Sequence, residues 1–415
     1  MPSGMMGGGP CGRCMFVGSA ALVAVVGCGV AGAQTLESID HPGRLTLGGD
    51  ATATVSPPDS DAFFNFTNYD QNALRSVQVR LVGEWRFSSS VSFLGELRAQ
   101  NGDGVDGAAW YLRWHPWAAR AFDVQVGRIP PVIGLFAREP YGRDNLLIGA
   151  PLAYQYLVPL RPDALPASAD DLISMRARGW QPSFPIGSSA VGPGIPLASA
   201  FSWDTGAEAH WHVGRADLAG AVTRGSVSVP AVGSDVNGGA TWSGRVAVAG
   251  PGGLTVGVSG ARGPWIESST LSLLPATLHA SDTETFVGAD IEFGWGRWLV
   301  RGEELRSVFD MPLVDADNPD ARLAAWSGYL EARYRLHPRW QVAGRVEQLD
   351  FSTIQGTLNG GLPTTWDAPV ERLSADVGYR AQRQLEIRGG WQMDWRDGGR
   401  VSKRGYPALQ LLFWF

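Results

Sequence analysis

The sequence of 415 residues contains very little cysteine and lysine. Its three cysteines, Cys11, Cys14 and Cys28, all lie near the amino terminus. A chain from which this region is removed has no thiol, which excludes disulfides, thiolate–metal sites and a cysteine nucleophile. Lys403 is the only lysine, so nearly every cation is a guanidinium, and the formal net charge of -6 provides no basic surface for nucleic acid.

Long apolar runs are also scarce, because beyond residue 34 none reaches the roughly 20 residues of a membrane-spanning helix. The run 15–30 follows a basic residue and precedes small residues that end at Ala33. This order is typical of a secretory signal peptide. We therefore predict a signal peptide over 1–33 and a mature chain of 34–415, with lipidation at Cys28 as the alternative to cleavage after Ala33.

What the sequence has in abundance is alternation of apolar and polar residues. In 74–87, valine, leucine and tryptophan alternate with glutamine, glutamate and arginine, and 323–336 and 385–396 follow the same pattern. Successive side chains of a β-strand point to opposite faces, so a period of two predicts strands. Many segments reach the roughly 9–11 residues that a tilted membrane strand needs.

The connections between these segments alternate between short turns and longer polar loops. Gly294-Trp295-Gly296 is a short turn, for example, and 263–283 is a long loop. This asymmetry is typical of bacterial outer-membrane barrels, and an even strand count places both chain ends on the short-turn side. The sixteen candidate strands span 43–55, 74–87, 90–100, 107–115, 121–128, 197–211, 215–224, 240–249, 253–262, 284–294, 297–308, 323–336, 339–351, 370–381, 384–395 and 405–415.

One face of these strands is apolar and the opposite face carries many arginines and carboxylates. So many charges cannot lie in a dry core, so they need water. A sheet that crosses a membrane must be closed, since every backbone amide has to be paired. We predict an all-β fold, a transmembrane antiparallel β-barrel of about sixteen strands formed by 34–415 as one domain, with fourteen or eighteen strands as alternatives.

The last segment adds a second indication of this class. Leu409, Leu411, Phe413 and Phe415 occupy alternate positions. This pattern resembles the final strand of outer-membrane proteins in general, and the resemblance implies that Leu411, Phe413 and Phe415 are read by the barrel assembly machinery. Aromatic residues also collect where strands meet short turns, as at Trp298, which favours an interfacial belt.

The largest connection, 129–196, follows the fifth strand and is far longer than an ordinary loop, so we expect it to be functional. It begins at Gly127-Arg128-Ile129-Pro130-Pro131-Val132-Ile133-Gly134, and here the chain resembles phosphate-selective porins of the O/P type. The resemblance implies a third extracellular loop that folds into the lumen. This loop has no lysine, whereas lysines are associated with anion binding in those porins, and no ion preference follows.

We therefore predict a porin-like outer-membrane channel for passive diffusion of small hydrophilic or charged solutes. The charges of the loop and of the facing strands would filter solutes, unless the loop is an inert plug with its charges paired. A non-conducting scaffold or adhesin is the main alternative, and an outer-membrane hydrolase is a weaker one. The candidate residues for the pore lining and constriction are Arg80, Arg98, Arg113, Arg128, Arg138, Glu139, Arg143, Asp144, Arg333, Arg345 and Arg388.

The sequence offers no motif for an enzyme, so we predict neither catalytic residues nor a cofactor. His210 and His212 share a strand face, but no further ligand completes a metal site by spacing. The acidic segment 315–320 lacks EF-hand spacing and is expected to solvate its loop. The expected partners are outer-membrane lipid and lipopolysaccharide, the barrel assembly machinery, small solutes and, as one option, two further copies in a homotrimer.

Overall fold

A computed structural model describes residues 43–59, 62–66, 72–101, 104–117, 121–138, 140, 142–201, 203–231, 237–275, 281–314 and 320–415. The predicted signal peptide, the acidic residues 315–319 and Glu139 lie outside the described residues. Sixteen antiparallel strands form a closed barrel in which each strand pairs with its neighbours in the chain and β1 pairs with β16. This confirms the predicted fold class and strand number.

The strands are numbered here in chain order. They are β1 (Leu45–Val55), β2 (Val77–Arg86), β3 (Val91–Gln100), β4 (Val105–Trp114), β5 (Phe122–Ile129), β6 (Asp204–Val213), β7 (Ala216–Thr223), β8 (Thr241–Ala249), β9 (Leu254–Pro264), β10 (Thr283–Trp295), β11 (Trp298–Pro312), β12 (Asp320–His337), β13 (Trp340–Phe351), β14 (Val370–Gln382), β15 (Leu385–Arg396) and β16 (Val401–Trp414).

The strands have one apolar and one polar face, as the alternation predicts. Leu47, Val79 and Leu81 are exposed on the outer face, with 68% of the Leu47 surface accessible, while Asp50 and Glu96 are buried on the inner face. The register keeps this division across strands, because Asp50 pairs with Arg80 and Ala51 with Val79. The barrel therefore has an apolar outer surface and a charged inner surface.

Aromatic side chains form a belt on the outer face near the short turns. Trp298 and Tyr334 meet across β11 and β12 with ring centroids 4.6 Å apart, and Trp340 and Tyr379 meet across β13 and β14 at 4.7 Å. Trp295, beside the turn between β10 and β11, is 68% exposed. Rings at this level suit the boundary between hydrocarbon and water.

Barrel closure depends on a close approach between β1 and β16. Asp50 pairs with Trp414 and Val55 with Leu409. A Cβ atom added to Gly49 would lie 2.4 Å from the carbonyl oxygen of Arg80 and 2.9 Å from the ring of Phe415. Only glycine leaves the aromatic ring of Phe415 room to lie across this ladder.

The predicted boundaries differ most from the observed ones at the start of the sixth strand, and other ends differ by up to four residues, as at the end of β11 and the start of β16. The sixth strand begins at Asp204 rather than at 197, because Leu197, Ala198 and Ala200 are buried in an apolar cluster and do not join the sheet. The last strand begins earlier than predicted, at Val401, since its ladder with β15 continues through an irregularity near Gln392. The connection after β5 consequently spans 130–203 and is called the long connection below.

The connections contain only short regular elements among the described residues. These are α1 (Leu152–Gln155), α2 (Ala169–Ser174) and α3 (Ser268–Leu271), the 3-10 turns Phe136–Arg138, Pro251–Gly253 and Leu358–Gly361, and two small ladders that pair Ala164–Leu165 with Ile186–Gly187 and Thr353–Ile354 with Thr364–Thr365. None of the described helices has the length and apolar character required to cross a membrane.

Candidate channel interior

The long connection packs against the barrel through an apolar cluster. Its residues Phe136, Leu152, Tyr154, Leu160 and Leu165 are buried in this cluster. The partners on the strands and on other connections are equally buried, and they include Phe286, Phe309, Leu349, Trp265 and Trp366. Each such side chain contributes about 1.5–3 kcal/mol when it is removed from water, so the packing fixes the connection firmly.

Carboxylates of the inner face accept hydrogen bonds from backbone N–H groups of the long connection. Glu303 accepts from the amide of Leu135 at 2.8 Å and from the hydroxyl of Tyr154 at 2.9 Å. Glu347 accepts from the amide of Leu152 at 2.8 Å. These carboxylates satisfy N–H groups of an irregular segment that would otherwise be buried without a partner.

Three inner-face arginines, two of them predicted pore-lining candidates, bind the carbonyl groups of the same segment. Arg301, which was not predicted, donates to the carbonyl of Asp144 at 3.0 Å. Arg388 donates to Asn145 and Arg345 to Gly149, both at 3.0 Å. The candidates Arg345, Arg388 and Asp144 thus meet in one place, where the two guanidinium groups and the Asp144 carbonyl anchor the connection to the wall.

Ion pairs neutralise most of the inner-face arginines that were predicted to line the pore. Arg345 lies 3.2 Å from Glu331 and 3.1 Å from Glu347, and Arg388 lies 2.7 Å from Glu386. Pairing extends to Arg80, which lies 2.5 Å from Asp50, and to Arg98, which lies 3.0 Å from Glu96. Removal of one partner of a buried pair typically costs about 3–5 kcal/mol, because the remaining charge is left uncompensated.

The four remaining arginine candidates lie away from this anchoring site. Arg113 is 3.7 Å from Asp123, Arg138 is 4.0 Å from Asp217, and the guanidinium of Arg143 lies 5.9 Å from the ring centre of Trp414. Arg333 is half-buried on the inner face of β12. These four residues are spread around the barrel, and the structure does not bring them together at one constriction.

The prediction that Arg128 lines the pore is wrong. Its register pairs it with Trp110, which is exposed on the outer face, and the guanidinium donates to the carbonyl of Trp203 at 2.9 Å and to that of Gly107. Arg128 belongs to the outer register at the end of β5, so it stabilises the point where the long connection leaves and rejoins the sheet.

Sequence reasoning missed the contacts between the long connection and the loop after β13. Asp170 accepts from the hydroxyl of Thr357 and from the amides of Thr357 and Leu358, the amides at 2.7 and 3.0 Å. These hydrogen bonds, that of the hydroxyl first, lower the pKa of its carboxyl. Arg176 donates to Thr365 at 2.7 Å. The Ser168-x-x-Asp171 capping box indicates the start of a helix and could have predicted α2. No sequence pattern predicts which loop α2 contacts.

Asp367, in the same loop, was also missed. It accepts from the amides of Ala177 at 2.7 Å and Ala368 at 2.8 Å. Burial raises the pKa of this carboxyl to about 7, although the two hydrogen bonds and the charges of Arg396 and Arg176 oppose the increase. Asp367 is therefore a buried acid that holds a turn of the long connection.

Histidine contributes a polar contact on the inner face rather than a recognisable metal centre. Nε2 of His210 lies 2.9 Å from Asp217, and Nδ1 lies 3.4 Å from Asp123. Among the described residues no three histidine, cysteine, aspartate or glutamate side chains are arranged to hold a metal ion.

Comparison with known proteins identifies the fold. A scan against protein-family models finds no match, and a search of curated proteins finds none either. Solved structures that superpose on this chain include three outer-membrane proteins. OmpT, an outer membrane protein of Vibrio cholerae, has a TM-score of 0.52 and 10% identity over 92% of this chain and 100% of that one.

The other two structures agree with the first. Salmonella typhi OmpF, solved in complex with daunomycin, has a TM-score of 0.53 and 10% identity over 90% of this chain and 98% of that one. The outer membrane channel DcaP of Acinetobacter baumannii has a TM-score of 0.51 and 9% identity over the same shares, 90% and 98%. At such identities the likeness establishes the fold alone, a closed porin-type β-barrel.

Proposed function

We propose that the protein is an outer-membrane channel of the porin kind, through which small hydrophilic or charged solutes diffuse passively. The observation that carries the proposal is the division of the strands into an apolar outer face and a charged inner face around a closed barrel. An apolar exterior suits hydrocarbon, and charged groups on the interior require water or partners.

In this proposal the long connection folds into the extracellular half of the lumen and narrows it. Support comes from its hydrogen bonds to inner-face side chains of several strands, such as Glu303 on β11, Glu347 on β13 and Arg388 on β15. One segment reaches all of these strands through their inward side chains only if it lies within the circle they form. A third loop folded in this way would resemble that of the O/P type of barrel, although the loop of this chain has no lysine.

We also propose that the protein lies in the outer membrane. The chain would be exported through a signal peptide over 1–33, inserted by the barrel assembly machinery through Leu411, Phe413 and Phe415, and surrounded by lipid and lipopolysaccharide. These three side chains lie on the outer face, where an assembly factor has access to them. A homotrimer is the proposed assembly, and neither nucleic acid, cofactor nor catalytic activity is part of the proposal.

Single-channel recording of the refolded full chain in planar lipid tests this function. We expect ohmic steps of conductance, because an aqueous path through the barrel carries ions in proportion to the applied voltage. A chain that inserts, as judged by heat-modifiable migration in gels, yet conducts nothing would overturn the proposal. Lipid or peptide hydrolysis by the same preparation would indicate an enzyme instead.

A non-conducting scaffold is the second candidate, and one observation favours it. The apolar cluster around Tyr154, Phe286 and Phe309 fills space that a wide channel would leave to water, and the arginines near it are paired. A scaffold of this kind would insert and resist heat like the channel but remain silent in the recording.

A further inference from the structure

A cavity of about 100 Å³ separates the long connection from the wall formed by β16, β1, β2 and β3. Thr52, Thr54, Ser76, Gln78 and Gln410 line it from the wall. Of the described residues that line the cavity, none carries a formally charged side chain. The rest of the inner face is rich in charge, and the pair of Arg80 and Asp50 begins only two residues along the strands from Gln78 and Thr52.

Two buried amides on this cavity have an oxygen without a described partner. Nε2 of Gln410 donates to Thr54 at 3.1 Å, and Nε2 of Gln155 donates to Asn65 at 2.9 Å, yet Oε1 of each glutamine accepts no hydrogen bond. Gln410 is 6% exposed and Gln155 is 4% exposed. A buried acceptor without a donor is unfavourable, and because each oxygen has almost no accessible surface, it accepts from a molecule in the cavity only after its side chain rotates towards that space.

The volume and the chemistry of the lining define the class of this molecule. A space of about 100 Å³ holds about three water molecules at ~30 Å³ each, or one small polyol or amide of similar size. An ion that enters would lose part of its hydration and meet no counter-charge on the described lining residues, which is costly. Hydroxyl and amide groups would replace the hydrogen bonds of a neutral solute at little cost.

We propose that this cavity is the selective part of the solute path and binds small uncharged solutes with several hydrogen-bond donors, such as glycerol or urea. This rests on the proposed channel function and names its substrate class. Neutral solutes cross along β16, β1, β2 and β3, on the side of the long connection that lies away from its anchors on β11, β13 and β15.

A second, smaller gap supplies a matched comparison. It measures about 40 Å³ and lies between Pro130, Pro131 and the wall at β7 and β8, where Ser243 lines it. Ser76 lines the larger cavity and Ser243 lines the smaller gap, so each space offers one serine for substitution. Cysteine is nearly isosteric with serine, so S76C and S243C place the same thiol in two alternative routes.

The route is tested by thiol modification of the full chain. S76C and S243C are made in a background whose Cys11, Cys14 and Cys28 are serine, and glycerol entry into proteoliposomes is measured by swelling before and after reaction with a bulky neutral maleimide. We expect S76C to lose glycerol entry on modification and S243C to keep it. Loss in S243C alone, or in neither variant while both are labelled, would overturn the route.

The chemistry is tested at Gln410 with glycerol, urea and potassium chloride as probes. We expect Gln410→Leu to reduce glycerol and urea entry about fivefold, as for one lost hydrogen bond, and to leave potassium conductance unchanged. Gln410→Asn keeps the amide and should restore part of the entry, and Ser374→Ala, on the inner face of β14 away from the cavity, should change neither. Equal effects on glycerol and potassium would overturn the preference for neutral solutes.

The two levels of the proposal fail differently. If the wild-type protein admits neither glycerol nor potassium, the proposed channel function is wrong. If the wild-type protein conducts, but labelling of S76C and the substitution Gln410→Leu leave glycerol entry unchanged, only the proposal that the cavity is the selective part is wrong.

Discussion

The two sides of the barrel hold the long connection in different ways. From β11 to β15, buried carboxylates and guanidinium groups bind its backbone directly, as Glu303 binds Leu135 and Arg345 binds Gly149. From β16 to β2, a cavity lined mainly by hydroxyl and amide groups lies between the connection and the wall, and charge returns at its edge, where Arg98 on β3 donates to the carbonyl of Phe201. Charged side chains of the inner face therefore anchor the long connection, whereas the uncharged lining of the cavity leaves space beside it.

Removal of Arg345 should have the largest effect on this contrast. Arg345→Ala leaves Glu331 and Glu347 without the cation between them and removes one of the two donors to the Gly149 carbonyl, the other being the side-chain amide of Asn145, so we expect the free energy of unfolding to fall by about 3–5 kcal/mol. Denaturant unfolding in lipid vesicles measures the loss. Arg335→Ala, exposed near the turn before β13, is the control and should stay near wild type; an equally stable Arg345→Ala would contradict the anchoring role.

Glu303→Leu should have the next largest effect. The amide of Leu135 and the hydroxyl of Tyr154 would lose their acceptor while they stay buried, so we expect a loss of about 1–3 kcal/mol in the same measurement. Glu303→Gln retains a carbonyl oxygen and should recover most of the stability. If glutamine is as harmful as leucine, the charge rather than the acceptor fixes the connection.

Asp367 should make the attachment of the long connection depend on pH. Its pKa is raised from an ordinary value near 4 to about 7 in the folded protein, so between these values the folded state holds a proton that the unfolded chain releases. Stability therefore falls as the pH rises from 4 towards 7 and changes little above it. Arg176, Arg396 and Tyr156 face this carboxyl.

Hydrogen exchange of the Ala177 amide, measured across this pH range and corrected for the intrinsic rate, reports the effect. We expect its protection to decrease with rising pH in the wild type and to be nearly flat in Asp367→Asn, which cannot ionise. A wild-type profile as flat as that of the variant would show that Asp367 does not titrate in this interval.

The smallest effect is expected at Asp170, which is only partly buried. Asp170→Ala removes the acceptor of the Thr357 and Leu358 amides, so we expect these two amides to exchange faster while global unfolding is unchanged. Asp170→Asn keeps an acceptor and should lie between the wild type and alanine. A drop in global stability with Asp170→Ala would mean that this contact is part of the cooperative unit.

The alternation of the sequence predicts the barrel well, because the period of two depends only on neighbouring residues and on which face meets water. The interior is harder to predict. Arginine at position 128 is a candidate because it lies at the start of the long connection, yet the register places it opposite Trp110 on the outer face. Arg345 and Arg388 were predicted to face the lumen, but their partners are backbone carbonyls of a distant segment, which carry no signal in the side-chain pattern.

The boundary of β6 shows the same limit. The segment 197–203 has small and apolar residues that suit a strand, but Leu197 and Ala198 are enclosed by side chains from several other elements. Such enclosure is decided by tertiary packing, which local propensity does not contain. Local propensity does not predict the cavity along β16 to β3 either, because the cavity arises where the long connection does not pack against the barrel wall.

The ladder between β1 and β16, with Gly49 beneath the ring of Phe415, bears on how the molecule comes into being. Strands joined by tight turns find each other early, since little entropy is lost in closing a short loop. The two terminal strands must wait for all the others, and until then each presents an unpaired edge that attracts foreign strands. The final pairing of β1 with β16 is thus the step most open to misassembly, and a side chain larger than hydrogen at position 49 would clash with Arg80 and Phe415 in that pairing.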